Sequence, residues 1–175
     1  DNGPWLIMNN QGGSAGPLRE GKGSTWEGGM RVPGIAWMPG KIKPAVTMQM
    51  ASVLDLFPTA VAMADASMPE TIHDGIDLSP LLFEGRELPE RPLIYYRGTE
   101  IFACRIGDWK AHLRTQPGYG RPQAELHEPP LLFHLGLDPS EKRDVASQHP
   151  DVIEKIMQAI EAHRATVEPA IQQLQ

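Results

Sequence analysis

Two short segments near the start of the chain carry side chains suited to binding an anion and the cation beside it. Asp1 and Asn2 place a carboxylate next to an amide carbonyl, and Ca²⁺ and Mg²⁺ prefer hard oxygen ligands of these kinds. Lys22 lies between two glycines in the segment 21–25. Flanking glycines let backbone approach a ligand closely and can orient N–H groups at an anion. The residues alone therefore indicate half of a metal site and a glycine-rich anion loop.

Both patterns also have an ordinary explanation that the residues alone leave open. An Asp-Asn pair is commonly part of a solvated turn, and a lysine in a surface loop more often faces water than a ligand. A nucleotide-binding loop is rejected for Lys22, because no clear strand–loop–helix context surrounds it.

Other reactive residue types give no sharper signal. Cys104 lies within an apolar alternation, which favours a buried structural thiol over a nucleophile. The 6 histidines show no metal-ligand spacing, although His112 and His134 lie on predicted strands from which either could face a cleft. A Gly-x-Ser-x-Gly elbow, which would mark a serine hydrolase, is absent from the sequence.

Length and charge narrow the class of protein. The 175 residues carry a net charge of −6, which argues against a nucleic-acid binder, since such proteins usually carry a basic patch. One cysteine excludes an internal disulfide framework. No run approaches the roughly 18 apolar residues of a membrane span. The chain starts at Asp1 within turn chemistry, so we expect it to be a fragment of a longer protein.

The first half of the chain is rich in glycine and proline and has little periodicity. We predict a short strand at residues 5–8, an ordered loop over 9–34 and a buried strand at 35–38. Asp55 is the expected N-cap of a helix that continues to about residue 64. Residues 65–92 are predicted to form a connector that contains a subdomain boundary.

The second half predicts an antiparallel sheet covered by a helix. Apolar runs at 93–96, 100–106, 109–114 and 131–135 are the expected strands, and Gly107-Asp108 is a hairpin turn signal. Residues 116–130 are predicted to be a loop. A helix is predicted over 150–168, with one apolar stripe that covers one face of the sheet. That stripe consists of Ile153, Ile156, Met157, Ile160 and Val167.

An ordered set of motifs links the chain to a known family. They are DNGP at 1–4, GPLREGKGSTWEGGMRVP at 16–33, WMPG at 37–40, DLFPT at 55–59, DGIDL at 74–78, YYRG at 95–98, KAH at 110–112 and PLLFHLGLDP at 130–139. Together these segments resemble the second half of the sulfatases, most of all the branch of arylsulfatase A and N-acetylgalactosamine-6-sulfatase. The resemblance covers residues 1 to about 145.

The resemblance implies roles for individual residues. Asp1 and Asn2 correspond to two ligands of a divalent cation, usually Ca²⁺ (or Mg²⁺), and Lys22 corresponds to the lysine that contacts the sulfate ester. His112 is expected to reach the substrate cleft. The family nucleophile is a formylglycine made in a Cys/Ser-x-Pro/Ala-x-Arg motif. Cys104 does not match that motif, so the nucleophile is expected upstream of this chain.

The resemblance also implies an architecture. The expected fold is the C-terminal portion of the α/β, alkaline-phosphatase-like sulfatase fold. Residues 1–66 would form the C-terminal part of the large domain at the edge of its mixed sheet, and 67–89 a connector. Residues 90–175 would form a small subdomain, an antiparallel sheet with a packed C-terminal helix.

The implied function is hydrolysis of a sulfate ester by the longer protein, with this chain inactive by itself. The expected partners are a small sulfate ester or sulfated sugar and the N-terminal half of the same polypeptide, without nucleic acid or a membrane span. A periplasmic, secreted or lysosomal location is expected by resemblance. Two alternatives stay open: a non-catalytic sulfatase-like binding or structural module, and a phosphoester or phosphonate hydrolase of the same superfamily.

Overall fold

The computed structural model describes residues 2–71, 73–118 and 123–168. The chain divides into two compact units, of which one comprises Asp1–Pro33 with Arg91–Gln175 and the other Gly34–Glu90. The division into 1–66, 67–89 and 90–175 concerns the longer fold and stays a prediction. In the described part of the chain, no helix is long and apolar enough to span a membrane.

The first unit is built on a four-stranded antiparallel sheet, as the sequence predicted. Its strands are β1 (Pro92–Arg97), β2 (Glu100–Ile106), β3 (Trp109–Thr115) and β4 (Glu125–His134), in the spatial order β1-β2-β3-β4. The β2–β3 hairpin turns at Gly107-Asp108, and Gly107 has φ +57°, in the region that favours glycine.

Strand β4 begins earlier than the sequence indicates. It starts at Glu125 and pairs Thr115 with Glu125, whereas residues 116–130 were predicted to be a loop. The misleading signal is Pro129 and Pro130. Proline cannot donate to a ladder, but β4 has a neighbour on one side in this sheet, and an edge strand tolerates proline.

Four α-helices occur in the described ranges. They are α1 (Glu27–Met30), α2 (Leu56–Met63), α3 (Ser79–Glu84) and α4 (Pro150–Arg164).

Helix α4 covers one face of the sheet, which confirms the predicted packing. Ile156 and Ile160 are 1% and 0% exposed, and they pack in a cluster whose sheet residues are Ile101, Cys104, Ile106, Ala111, Leu113 and Leu132. Burying an isoleucine side chain stabilises a fold by about 1.5–3 kcal/mol. The helix ends at Arg164, so Val167 lies beyond it and is exposed, contrary to its predicted place in the stripe.

The predicted strand at residues 5–8 is wrong. A 3₁₀ helix spans Leu6–Gln11 instead, and the N–H of Trp5 donates to the carbonyl of Gly12 at 2.8 Å. A short apolar run fits several structures. Here its backbone bonds are made locally, so it joins no sheet.

In the second unit, the predicted buried strand at 35–38 is also wrong. Ile35 and Trp37 are 93% and 82% exposed, and no strand is formed there. The predicted helix is present as α2, preceded by a 3₁₀ turn at Val53–Asp55. Ser52 caps this turn and Asp55 completes the capping box, accepting from the N–H of Ser52 at 2.7 Å. Asp55 is the N-cap residue of α2, as predicted, although its side chain makes no cap hydrogen bond to α2 and takes part in the capping box of the preceding turn instead.

Candidate active site

The structure brings the segment after Asn2 against the loop that carries Lys22. The N–H of Lys22 donates to the carbonyl of Pro4 at 2.8 Å, and the N–H of Gly3 donates to the carbonyl of Gly29 at 3.0 Å. Asn2 is thus next to a residue bonded to the loop. Asp1 lies outside the described residues, so its predicted place beside Asn2 has no structural account.

Glycine is required where these segments touch. A Cβ on Gly3 would lie 1.7 Å from the carbonyl oxygen of Gly28, and one on Gly28 would lie 2.3 Å from the carbonyl oxygens of Arg19 and Glu20. Real Cβ atoms do not approach backbone this closely. The glycine-rich composition of the segment therefore reflects backbone packed directly on backbone.

Lys22 is half-buried and borders a small recess. Its Nζ lies 5.4 Å from the centroid of the Trp5 ring. The recess is lined by Trp5, Leu6, Ile7, Glu20, Gly21, Lys22 and Gly118. An ammonium group held next to an open recess has room to meet an anion from solvent.

Beneath the loop lies a group of buried charged and polar side chains, Glu27, Lys110, His112 and Glu141, which we call the ionic cluster. All four are 0–1% exposed. The ammonium of Lys110 donates to Glu27 Oε1 at 2.9 Å and to the carbonyl of Thr25 at 2.7 Å, and it lies 3.3 Å from Glu141 Oε1. Its three donors therefore have three oxygen partners.

Glu141 joins the cluster to the loop from the other side. Its Oε2 accepts from the N–H of Glu27 at 2.6 Å, and its Oε1 lies 2.7 Å from His112 Nε2. Its main-chain carbonyl accepts from Arg19 Nη1 at 2.9 Å. The Arg19 guanidinium lies 3.7 Å from the centroid of the Trp26 ring, which packs on His112 with a centroid distance of 4.2 Å.

Burial sets the protonation of the cluster. Desolvation lowers the pKa of His112 to about 4, against the opposing effect of its hydrogen bond to Glu141. Burial alone would raise the pKa of Glu141, but the hydrogen bond with His112 and the Lys110 ammonium hold it below its usual value. His112 is therefore neutral at pH 7, and we assign the proton to Nε2, which donates to the carboxylate.

His112 occupies the interior of the ionic cluster. Its Nδ1 is buried and has no hydrogen-bond partner in the residues that the structure describes. Its expected role in a substrate cleft stays a prediction, since its ring is fully buried and His112 is not among the described residues that line the recess at Lys22.

The interpretation of Cys104 as a structural thiol agrees with the geometry. The residue is 0% exposed, and burial raises its pKa to about 12. It belongs to the apolar cluster under α4, where a thiol behaves as a small hydrophobic group.

Sequence reasoning missed Glu27, Lys110 and Glu141 as members of a site. One signal was available, because Lys110 and His112 stand on the same side of a strand and alternate with the apolar residues Trp109, Ala111 and Leu113. Their partners in the cluster could not be found in this way, since Glu27 and Glu141 are 114 residues apart.

Asp1 and Asn2 stay the predicted donors for a cation. Across 2–71, 73–118 and 123–168, no group of three or more His, Cys, Asp or Glu side chains is placed to hold a metal ion. By their chemistry, an amide and a carboxylate oxygen fit Ca²⁺ or Mg²⁺.

Comparison with known proteins identifies the family of the chain. The sulfatase family model matches residues 1–66, and the model for the C-terminal region of aryl-sulfatase matches residues 88–175. Arylsulfatase A of Bos taurus is 40% identical over 178 residues, covering 91% of this chain and 35% of that protein. N-acetylgalactosamine-6-sulfatase of Canis lupus familiaris is 38% identical over 200 residues, covering 99% and 38%.

Solved structures show the same architecture. The PsFucS1 sulfatase from Pseudoalteromonas sp. superposes with a TM-score of 0.82 at 28% identity, over 95% of this chain and 36% of that one. Ps i-CgsB gives a TM-score of 0.71 at 30% identity, over 92% and 34%. This chain spans a little over a third of the length of the relatives it matches. The resemblance and the fold class are thereby confirmed: the chain belongs to the sulfatase family and has the fold of the C-terminal portion of its α/β, alkaline-phosphatase-like members.

Proposed function

We propose that this chain is the C-terminal part of an enzyme that hydrolyses sulfate esters, and that Lys22 contacts the sulfate group. One observation carries the proposal: two backbone hydrogen bonds, Lys22 to Pro4 and Gly3 to Gly29, hold the Lys22 loop against the segment that follows Asn2. An ammonium group and a candidate cation ligand are thus placed on adjacent segments.

The chemistry expected of Lys22 is electrostatic. A sulfate ester carries negative charge on its non-bridging oxygens, and charge grows on the bridging oxygen as the S–O bond breaks. A donor fixed in advance next to that charge lowers the barrier without reorganising, and removing one such donor costs about 10²–10³ in kcat. Lys22 is suited to this role because its loop backbone is bonded in place at both Lys22 and Gly29.

A divalent cation and a nucleophile would complete the reaction. Asp1 and Asn2 would supply two oxygen ligands to Ca²⁺ or Mg²⁺, which when bound supplies positive charge next to the sulfate oxygens. The formylglycine nucleophile of the family would come from residues outside this chain, because Cys104 is buried among apolar residues on β2. We accordingly propose that the 175 residues alone are inactive.

The proposed substrate is a small sulfate ester or a sulfated sugar. The name of one relative, N-acetylgalactosamine-6-sulfatase, specifies a sulfated amino sugar as the substrate of that protein. Extending this class to the present chain is part of the proposal, as are the periplasmic, secreted or lysosomal location and the pairing with an N-terminal half of the same polypeptide.

The test is to substitute Lys22 by alanine in the complete polypeptide and to measure hydrolysis of an aryl sulfate. We expect kcat/KM to fall by about 10²–10³, as for other charge-stabilising donors, with the unfolding transition unchanged. Lys142→Ala is the matched control, because it removes the same charge from an exposed position of the same unit. Activity of Lys22→Ala within about threefold of the unaltered enzyme would refute the sulfate contact.

The inactivity of the isolated chain has its own test. The purified 175-residue chain should give no turnover of the same aryl sulfate above that of a buffer blank. Sustained turnover that co-purifies with the chain through two different separations would contradict the proposal.

A further inference from the structure

We propose that Glu141, acting through the ionic cluster, is a positioning residue for Lys22: it ties both ends of the loop 19–27 to the sheet and so fixes where the ammonium stands. The inference rests on the proposed function, since it assigns to Glu141 an effect on catalysis that Lys22 transmits.

Glu141 holds the two ends of the loop at once. At the start of the loop, Arg19 Nη1 donates to the main-chain carbonyl of Glu141. At its end, the N–H of Glu27 donates to the Glu141 carboxylate. Lys22 stands between these two anchors, so a displacement of Glu141 would move both ends of its loop.

Lys110 adds a second tie at the end of the loop. Its ammonium donates to the carbonyl of Thr25 and to Glu27 Oε1, and it also faces Glu141 Oε1. Because Lys110 lies within strand β3, its bonds hold the end of the loop at a fixed position relative to the sheet. Arg105 of β2 faces the remaining oxygen of Glu27 at 3.6 Å, which gives a second strand a contact with the same carboxylate.

The backbone at both sides of the contact is strained. Glu141 has φ +51° and Glu20, two residues before Lys22, has φ +61°. Residues other than glycine rarely adopt this left-handed backbone conformation. They keep it where surrounding contacts hold the backbone in place. Strain of this kind is commonly found at sites where geometry has a function.

Stability alone is a poor explanation for these buried charges. Replacing a buried ion pair by well-packed apolar residues is often neutral or stabilising, and the opposite face of the same sheet is covered by purely apolar packing under α4. Charged hydrogen bonds have fixed directions, whereas apolar contacts do not. A loop whose lysine must meet a small anion benefits from such directional contacts, since a misplacement of about 1 Å can cost 10²-fold in rate.

The test is a double-mutant cycle in the complete polypeptide, with an aryl sulfate as substrate. Glu141→Gln should lower kcat at least tenfold and leave KM within about threefold, because the amide cannot accept from Glu27 and face Lys110 in the same way. When Glu141→Gln is added to Lys22→Ala, kcat should fall by less than threefold relative to Lys22→Ala alone, because the effect of Glu141 passes through Lys22. Glu154→Gln on the exposed face of α4 is the matched control and should leave kcat unchanged.

A second variant covers the case in which Glu141→Gln does not fold. The side chain of Arg19 is exposed, and Arg19→Met removes its hydrogen bond to the Glu141 carbonyl while the buried charges stay paired. We expect kcat to fall by about threefold to tenfold. In the Lys22→Ala background the same substitution should have little effect. The inference is overturned if Glu141→Gln or Arg19→Met behaves like the control, or if its loss is fully retained in the Lys22→Ala background. If Lys22→Ala itself keeps its activity, the proposed function is what fails.

Discussion

The two faces of the four-stranded sheet are covered in opposite ways. Along β3, Ala111 and Leu113 face helix α4 and belong to an apolar cluster. The alternate residues, Lys110 and His112, are equally buried but belong to the ionic cluster under the glycine-rich loop. Alternate residues of β3 therefore belong to two different environments, because successive side chains point to opposite faces of the sheet.

The difference shows what each face contributes. Apolar packing under α4 stabilises the sheet but does not fix the direction of any single contact, since the hydrophobic effect is non-directional. On the other face, the bonds of Lys110 and Glu141 to the loop each have a defined donor and acceptor, beside the apolar packing of Trp26 on Phe133. We interpret the first face as the source of stability and the second as the element that places Lys22.

Removal of the Lys110 ammonium, at the centre of the ionic cluster, should have the largest effect on stability. Lys110→Met leaves the carboxylates of Glu27 and Glu141 buried without their ammonium partner, which costs about 4 kcal/mol of unfolding free energy. Urea unfolding of the complete polypeptide measures the loss, and Lys142→Met serves as the exposed control. A loss below about 1 kcal/mol would mean that the contacts of Lys110 behave like an ordinary exposed ion pair and would contradict the burial of the ionic cluster.

On the apolar face, Ile160→Ala should lower the unfolding free energy by about 3 kcal/mol, because it leaves a cavity at a fully buried position. Its kcat should stay within twofold of the unaltered enzyme at a temperature where both are folded. The same urea titration and an aryl sulfate assay give both numbers. A tenfold loss of kcat in the folded variant would show that α4 also positions the site.

The ionic face should also make the protein sensitive to acid. The pKa of His112 lies below that of an unfolded histidine, so the unfolded chain binds the extra proton first and stability falls with falling pH. Between pH 6.5 and 5, His112 should account for about 2 kcal/mol.

The lowered pKa of Glu141 acts in the same direction at lower pH, since stability present above its unfolded pKa is lost as the carboxylate is protonated. Urea unfolding at pH 7, 6 and 5 measures the change, and Ile160→Ala should show the same pH dependence as the unaltered protein. Stability that is flat between pH 7 and 5 would contradict a neutral, buried His112.

The smallest effect is expected at Cys104. Cys104→Ala removes one sulfur from the apolar face and should cost about 1 kcal/mol, with kcat unchanged, because the thiol takes part in packing alone. Denaturant unfolding and the sulfate ester assay test this. Loss of activity in a stably folded variant would place Cys104 in the chemistry after all.

The apolar face could be predicted from the sequence, and the ionic face could not. Ile156 and Ile160 repeat at helical spacing and the strands alternate, so the covering of the sheet by α4 follows from local periodicity. Glu27 and Glu141 show no such period. Their contact joins residues 114 positions apart, and only the three-dimensional fold brings them together.

The wrong strands have a related cause. The runs at 5–8 and 35–38 are apolar, and apolar composition predicts burial without saying which backbone will pair with it. Trp37 is exposed, and the backbone of Trp5 bonds locally to Gly12. Lys22 was singled out by its flanking glycines and given its role by the resemblance, and that role stays a proposal. The close backbone approach that glycine permits is present at Gly3 and Gly28.

The most direct test of the account compares one buried substitution from each face in the same enzyme. Glu141→Gln and Ile160→Ala are first shown to be folded at the assay temperature, and kcat is then measured for both with one aryl sulfate. We expect Ile160→Ala to keep kcat within twofold and Glu141→Gln to lose at least tenfold. Equal kcat values, or a greater loss in Ile160→Ala, would contradict the assignment of positioning to the ionic face.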